Sequence, residues 1–450
     1  MTEGKPLPLI LQFALPLLLG NLLQQTYNIA DAAIVGNILG TDGLAAVSAS
    51  SSVQFLVIGF CIGICSGFAI PVAQRFGAND HVNMREYIFN AEFLTAIFAV
   101  VITVICAILC PTILHLLKTP DNIYDDAYRY LFVIFMGIPF TLLYNILSSV
   151  LRAVGDSRTP FIFLVISTVL NIGMDFLFIA IFELGCMGAG LATIIAQGVS
   201  GIICFIYIRC KIPVLRFDKN EKRLNGHIMG RLMIMGVPMG LQYSITAIGS
   251  MVMQSANNGL GDIYISGFAA AARIKQLSMS PFDALATGVS TFASQNLGAA
   301  KLRRINQGIR IGYVVGVAYG IAIGLVVIFF GRNMTMLFVS GEKSEAVLDA
   351  SSKYLAALGK FFWVIGLLNT TRMTTQGIGY SMRAILSGVF EMVARISVSL
   401  IFVPIYGYTA ICYTDQSAWI SACLYIIPTM FWCLNREYKK HDARNRIDAA

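Results

Sequence analysis

The sequence predicts an all-α membrane protein: twelve transmembrane helices in two pseudo-symmetric six-helix lobes. Three observations carry this expectation. The 450 residues are 57% hydrophobic and only 12% charged, against roughly 25% charged in an ordinary soluble domain. A chain so long and so poor in charge cannot cover a water-facing surface, so lipid must be its solvent. Apolar stretches such as Phe93 to Cys110, Phe161 to Ile181 and Val314 to Phe330 approach or reach spanning length for a hydrocarbon core about 30 Å thick. Finally, the second half of the chain repeats the first.

Hydrophobic patterning places the helices at 9–36, 50–76, 87–115, 127–152, 160–182, 188–209, 229–257, 264–296, 307–331, 352–378, 384–406 and 416–435. The first follows Lys5, as a signal peptide would. Pro16, Asn21, Gln24 and the pattern continuing to Val35 argue instead for an uncleaved first helix.

The connections alternate in charge. One set holds Lys5, Arg75, Arg85, Arg152, Arg158, the run from Arg209 through Lys219 to Arg231, Lys301 to Arg310, Arg383 and a tail with Arg436, Arg444 and Arg446. The other holds Lys118, Arg129, Arg332, Lys343 and Lys353 beside acids such as Asp42, Asp121 and Asp262. Basic residues collect on the cytoplasmic side, so both termini are expected there, in a bacterial inner membrane. The formal charge of +8 therefore reports orientation in a lipid bilayer, and no nucleic-acid partner is expected.

The basic stretch near the midpoint suggests four segments: a lobe over 1–210, a cytoplasmic linker over 211–228, a second lobe over 229–435 and a basic tail over 436–450. The halves match in order. Phe13 to Pro16 pairs with Met235 to Pro238, Ile38 to Gly40 with Gly259 to Gly261, Gly67 to Ala78 with Gly288 to Ala299, and Val154 to Ser157 with Ile378 to Ser381. The offset stays between 221 and 224 residues. Six spans per copy leave both copies in the same orientation, related by an axis along the membrane normal, an arrangement that places a substrate cavity between them.

An ionisable residue at membrane depth is costly and therefore a functional candidate. In the first helix Gln24, Tyr27, Asn28 and Asp31 fall at i, i+3, i+4 and i+7, one polar stripe. In the fifth, Thr168, Asn171 and Asp175 share a face, and the sixth adds Thr193 and Gln197. Carboxylates crowded in low dielectric bind a proton readily, and hard oxygens suit Na⁺. Asn28, Thr168 and Gln197 serve equally well as interhelical hydrogen-bond glue. Applying the repeat offset, Asp31 meets Val252 or Met253, and Asn171 and Asp175 meet Arg395 and Ser399. Any cation chemistry thus belongs to the N-terminal lobe.

The C-terminal lobe carries its own charge network: Arg273 with Lys275 and Asp283, Arg372, and the i,i+4 pair Glu391 and Arg395. It reads either as structural salt bridges or as surplus positive charge that attracts an anionic group. Pro16 removes a helix hydrogen bond and gives the first helix a place to bend. The ten cysteines sit largely within apolar runs and read as small buried hydrophobes; Cys186 and Cys412 fall in outer connections. No metal is expected beyond a Na⁺ at Asp31, Asn171 and Asp175, and no cofactor. No Walker, HExxH or GxSxG motif is present, so the chain does not read as an enzyme and transport must draw on an ion gradient, worth about 2.3 kcal/mol per charge at 100 mV.

At this point the residues resemble the multidrug and toxic compound extrusion (MATE) family. The resemblance rests on Pro16, Tyr27 and Asp31, Val35 to Gly40, Val72 to Ala78, Leu151 to Pro160, Leu170 to Asp175, Gly188 to Thr193, Gln295 to Ala299, and Glu391 with Arg395. It implies a V-shaped fold that exports small organic compounds, often cationic, in exchange for H⁺ or Na⁺. It also implies a cation site of Asp31, Asn171, Asp175 and Thr193, a cavity lined by Gln24, Tyr27 and Asn145, and a first helix that bends at Pro16. Some members carry acids in the seventh and tenth helices, where this chain has Thr246 and Arg372. A monomer is expected. The competing reading, a flippase or exporter of lipid-linked or anionic metabolites, calls for a large basic cavity and often extra helices, and no fourteenth span is counted.

Overall fold

A computed structural model describes residues 1–117, 119–218, 221–338 and 344–448. Lys118, Lys219 and Lys343, weighed above among the connecting charges, lie outside the described residues, as do the side chains of Arg444 and Arg446.

Every regular element described is helical. The first two expected spans form one continuous element, α1 (Pro6–Gly77), interrupted only at Gly40, whose φ of 74° and ψ of −163° suit glycine alone. Then follow α2 (His81–Leu116), α3 (Asp121–Met136), α4 (Ile138–Ala153), α5 (Arg158–Asp175) and α6 (Gly185–Lys211). The second half runs through α7 (Gly226–Asn258), α8 (Asp262–Gly298), α9 (Leu302–Met336), α10 (Ser344–Gly359), α11 (Phe362–Gly377), α12 (Ser381–Ser397), α13 (Val403–Tyr406) and α14 (Tyr408–Asp448). The expected fourth span is thus a pair, α3 and α4, bent by 45° where Gly137 meets a proline in the first turn of α4. The expected tenth span is likewise split, between Gly359 and Phe362.

Among the described residues, nine helical stretches are long and apolar enough to cross a membrane, and the bent α3–α4 pair makes a tenth. The two expected spans missing from that count are α8 and the α10–α11 pair. Their sequences explain it. Helix α8 carries Arg273, Lys275 and Asp283 inside its length, and α10–α11 is broken at Lys360.

The repeat is written in the backbone as well as in the sequence. Positive φ recurs at Gly40 and Gly261, Asn79 and Ala300, Gly155 and Gly379, and Gly185 and Gly407. A wide π-helical turn follows α5 at Phe176–Ile181 and α12 at Val398–Phe402.

The chain forms two compact units, Leu19–Gly240 and Met1–Leu18 with Leu241–Ala450. The dividing lines fall inside α1 and α7, a little beyond Pro16 and Pro238. In the first unit, α6 packs on α3, α4 and α5, while α2 packs on α3 and α4. Its core holds Ile64, Phe68, Met84, Leu131, Phe135 and Leu142. The start of α7 lies against α1 with no side chain between them: a Cβ on Gly67 would sit 2.4 Å from the Gly236 Cα, and one on Gly63 would sit 2.6 Å from the Gly240 Cα. Glycine here permits backbone-to-backbone packing, the commonest device for holding helices together in lipid. The second unit packs α9 on α8, α10 and α11, with α14 on α10, α11 and α12, around Phe282, Tyr354, Phe362, Trp419 and Ile426.

Among the described residues between α6 and α7, Glu221, Arg223 and Asn225 are held by hydrogen bonds to α2. Glu221 accepts from Arg85 Nη2 at 2.6 Å and Nε at 2.7 Å, Asn90 Nδ2 donates to the Arg223 carbonyl at 3.0 Å, and the Asn225 N–H donates to Asn90 Oδ1 at 3.0 Å. Arg209 donates to both Glu92 oxygens while its guanidinium lies 4.0 Å from the centre of the Phe217 ring.

Candidate functional site

The site expected in the first unit is assembled from three helices. Asp31 lies on α1, one turn after Tyr27. Asp175 closes α5 where the π-helical turn begins, and Thr193 stands on α6. Asp175 is fully buried and Asn171 is 2% exposed. The carboxyl groups of Asp31 and Asp175 face each other within hydrogen-bonding reach. Thr193 Oγ1 donates to the Ala189 carbonyl at 3.1 Å. That leaves it as the acceptor for the Tyr27 hydroxyl, also 3.1 Å away.

The Asn171 amide has two orientations. In one it makes a single bond, Nδ2 to Thr193 Oγ1 at 3.3 Å. In the other, Nδ2 donates to Asp175 Oδ2 at 3.0 Å and the amide oxygen accepts from the Thr193 N–H at 3.2 Å. The second satisfies both ends of the amide. One oxygen of each acid, Asp31 Oδ1 and Asp175 Oδ1, is then buried with no hydrogen-bond partner. Buried polar atoms are nearly always paired, and an orphan calls for a reason.

Tyr130 on α3 adds to this shell. Its hydroxyl is hydrogen-bonded to Gln54 and lies in the electrostatic field of both acids. Neither residue was singled out from the sequence, because one tyrosine and one glutamine on separate helices carry no pattern of their own. The residues expected to line a cavity stand on α1 and α4. Gln24 and Asn28 are exposed on α1. Asn145 donates within its own helix, to the Thr141 carbonyl at 2.8 Å. Gln197 is taken up by Thr141, whose hydroxyl donates to it at 2.5 Å. Pro16 is buried in a stretch of α1 that stays helical on both sides.

The second unit holds a chain of ion pairs longer than the Glu391 and Arg395 couple read from the sequence. Arg372 donates to Glu391 and to Ser387 Oγ at 2.9 Å. Glu391 also meets Arg395 at 3.4 Å, and Arg395 Nε reaches Asp415 Oδ1 at 3.1 Å. The other Asp415 oxygen accepts from Lys275 Nζ at 2.5 Å and from the Tyr354 hydroxyl at 2.6 Å. Asp415 was missed, although the repeat offset applied to Thr193 leads to it. Arg273 stands apart from this chain, exposed, with its guanidinium 5.8 Å from the Phe338 ring centre.

Comparison with known proteins agrees with this architecture. The MatE family model matches twice, at residues 16–177 and 238–401, so each half of the chain is one copy. The probable multidrug resistance protein YpnP of Bacillus subtilis is 30% identical over 82% of this chain and 82% of its own length. A FAD transporter of Shewanella oneidensis is 22% identical over 80% of this chain and 79% of its own. Among solved structures, a MATE protein in complex with MaL6 superposes with a TM-score of 0.91 at 20% identity, covering 97% of this chain and 98% of that one. With a family match over most of its length and helices suited to repeated membrane crossing, this chain belongs to the multidrug and toxic compound extrusion family of multi-pass membrane transporters.

Proposed function

We propose that the protein is a secondary active antiporter. It exports small amphipathic, cationic organic compounds in exchange for H⁺ or Na⁺ bound by Asp31, Asn171, Asp175 and Thr193. The observation that carries this reading is the contact between the Asp31 and Asp175 carboxyls, each with an oxygen lacking any protein partner. Two like charges about 4 Å apart repel by roughly 4 kcal/mol at an effective dielectric near 20. A small cation seated between them removes that cost. The pocket is thus a place where the presence of a cation changes the preferred packing of α1 against α5 and α6. Pro16 gives α1 the means to respond, since the missing hydrogen bond lets the helix bend without breaking another. Gln24, Asn28 and Asn145 remain proposed contacts for the organic substrate.

In this reading α8 and α10–α11 complete the twelve spans, the chain works as a monomer in a bacterial inner membrane, and both termini are cytoplasmic. The relative from Bacillus subtilis is named for multidrug resistance. A second reading, export of an anionic metabolite, has its own support. A relative is named as a FAD transporter, and the second unit's ion-pair chain joins three cations to two acids.

Everted membrane vesicles given ethidium in the medium under an imposed pH or Na⁺ gradient test the proposal. Wild-type protein moves ethidium with one of the two gradients, and Asp31→Asn lowers that movement by on the order of tenfold. Gradient-driven movement that survives in Asp31→Asn would refute the coupling site. Transport of a flavin nucleotide in place of ethidium would favour the second reading.

A further inference from the structure

The cation pocket of the first unit has a counterpart in the second, and the counterpart is filled by the protein itself. Burial fixes the register between the two. In α5, Phe163, Ser167, Asn171 and Asp175 are buried, and 224 residues on so are Ser387, Glu391, Arg395 and Ser399. In α3, Ile123, Tyr130, Leu131 and Ile134 are buried, and at the same offset so are Val347, Tyr354, Leu355 and Leu358. Helices α6 and α14 match at 222, the separation of Gly185 and Gly407, which share positive φ. Helix α8 follows the second part of α1 at 221, the separation of Gly40 from Gly261 and of Asn79 from Ala300.

Carried through this register, four members of the first pocket land on the second unit's ion-pair chain and its bound tyrosine, and the two acids do not. Thr193 becomes Asp415, Tyr130 becomes Tyr354, Gln54 becomes Lys275 and Asn171 becomes Arg395, while Asp31 and Asp175 become Met253 and Ser399. The contacts correspond too. Tyr130 bonds Gln54 beside two acids in one unit; Tyr354 meets Lys275 at 3.4 Å and Asp415 at 2.6 Å in the other. What differs is where the positive charge resides. Among the described residues the first pocket has two acids and no basic side chain beside them, so any cation must come from outside. The second has one acid held between the Lys275 ammonium and the Arg395 guanidinium.

We propose that the Lys275 ε-ammonium is a tethered counterpart of the first unit's exchangeable cation, and that a small monovalent cation enters the Asp415 pocket once that side chain is removed. Lys275 thereby confines coupling to one unit and sets the number of cations exchanged per substrate. The inference rests on the first unit binding an exchangeable cation. Arg372 and Glu391, on the far side of Arg395, hold the rest of the chain neutral in pairs, so removing Lys275 leaves the open position beside Asp415 Oδ2 and Tyr354. Asp283 is engaged elsewhere, accepting from Asn369 Nδ2 at 2.8 Å.

The test is Lys275→Ala in purified full-length protein, with thermal unfolding followed in methylammonium, sodium or choline chloride at equal ionic strength. The expected result is a lower unfolding temperature than wild type. Methylammonium or sodium restores it saturably and bulky choline does not, over and above the response that wild type shows to the same salts through the Asp31 and Asp175 pocket. In reconstituted vesicles the variant also exchanges more cations per ethidium than wild type, measured from the gradient at which net flux reverses; loss of a mere structural ion pair leaves that ratio unchanged. Should Lys275→Ala fail to fold, Lys275→Gln, which installs the first unit's residue, replaces it in both measurements. Absence of any cation-specific rescue, or an equal response in wild type, overturns the inference. A wild-type protein without gradient-driven export would sink the antiport reading alone, since the unfolding measurement judges the Asp415 pocket without transport.

Discussion

At the scale of residues, the chain concentrates its buried charge in two places and treats them oppositely. Asp31 and Asp175 are set against each other, while Asp415 is enclosed by Lys275, Arg395 and Tyr354. A third charged group matters outside the membrane. The Arg85 guanidinium hydrogen-bonded to Glu221 holds that carboxyl below its ordinary range, and unfolding releases it to about 4.3. The pair therefore adds stability in full above about pH 5, and the gain disappears as acidification protonates Glu221. Glu221→Gln should lower the unfolding temperature near neutral pH and flatten its fall between about pH 5 and pH 3; an unchanged acid limb would contradict the role assigned to this pair. The site residues were readable from sequence wherever a helix repeats a polar type at i,i+4, as Asn171 and Asp175 do. Tyr130, Gln54 and Asp415 escaped because their partners lie on other helices, and only the fold brings them together.

At the scale of elements, patterning located the helices but not their interruptions. Apolar content marks a helix that crosses lipid, whereas the bend at Gly137 and the break after Gly359 depend on local backbone chemistry and packing. The fusion of the first two spans into α1 was also hidden, since a single glycine such as Gly40 looks like a loop in a one-dimensional reading. The close approach of α1 and α7 yields a sharp contrast. Gly236→Ala would drive a Cβ to 2.4 Å from the Phe68 ring and should cost about 1–3 kcal/mol. On the same helix, Gly230 has open space around its would-be Cβ, so Gly230→Ala should be neutral or gain up to about 1 kcal/mol. Denaturant unfolding of the two variants measures the difference, and equal effects would mean that the glycine contact does not hold α7.

At the scale of the whole molecule, the duplication was the most legible feature: motif offsets, positive-φ positions, π-helical turns and the twofold family match all report one repeat. Its chemistry diverged between copies because helix packing constrains which positions are buried but not what charge a buried position carries once a partner is supplied. Orientation is testable with a native side chain. Cys210 is exposed while the other nine cysteines are buried, and in the proposed topology the basic connection after α6 is cytoplasmic. A membrane-impermeant maleimide should label the protein in everted vesicles and leave it unlabelled in intact cells; the reverse pattern would invert the topology.

If Asp31 and Asp175 exchange a cation against the organic substrate, binding of one must expel the other. The most direct measurement is cation release when ethidium is added to purified protein in weakly buffered solution, followed with a pH indicator and a Na⁺-selective electrode. Wild-type protein should release H⁺ or Na⁺ in proportion to bound ethidium, and Asp175→Asn should bind ethidium while releasing neither. Equal release from Asp175→Asn, or ethidium binding by wild type with no release of either ion, would contradict that exchange.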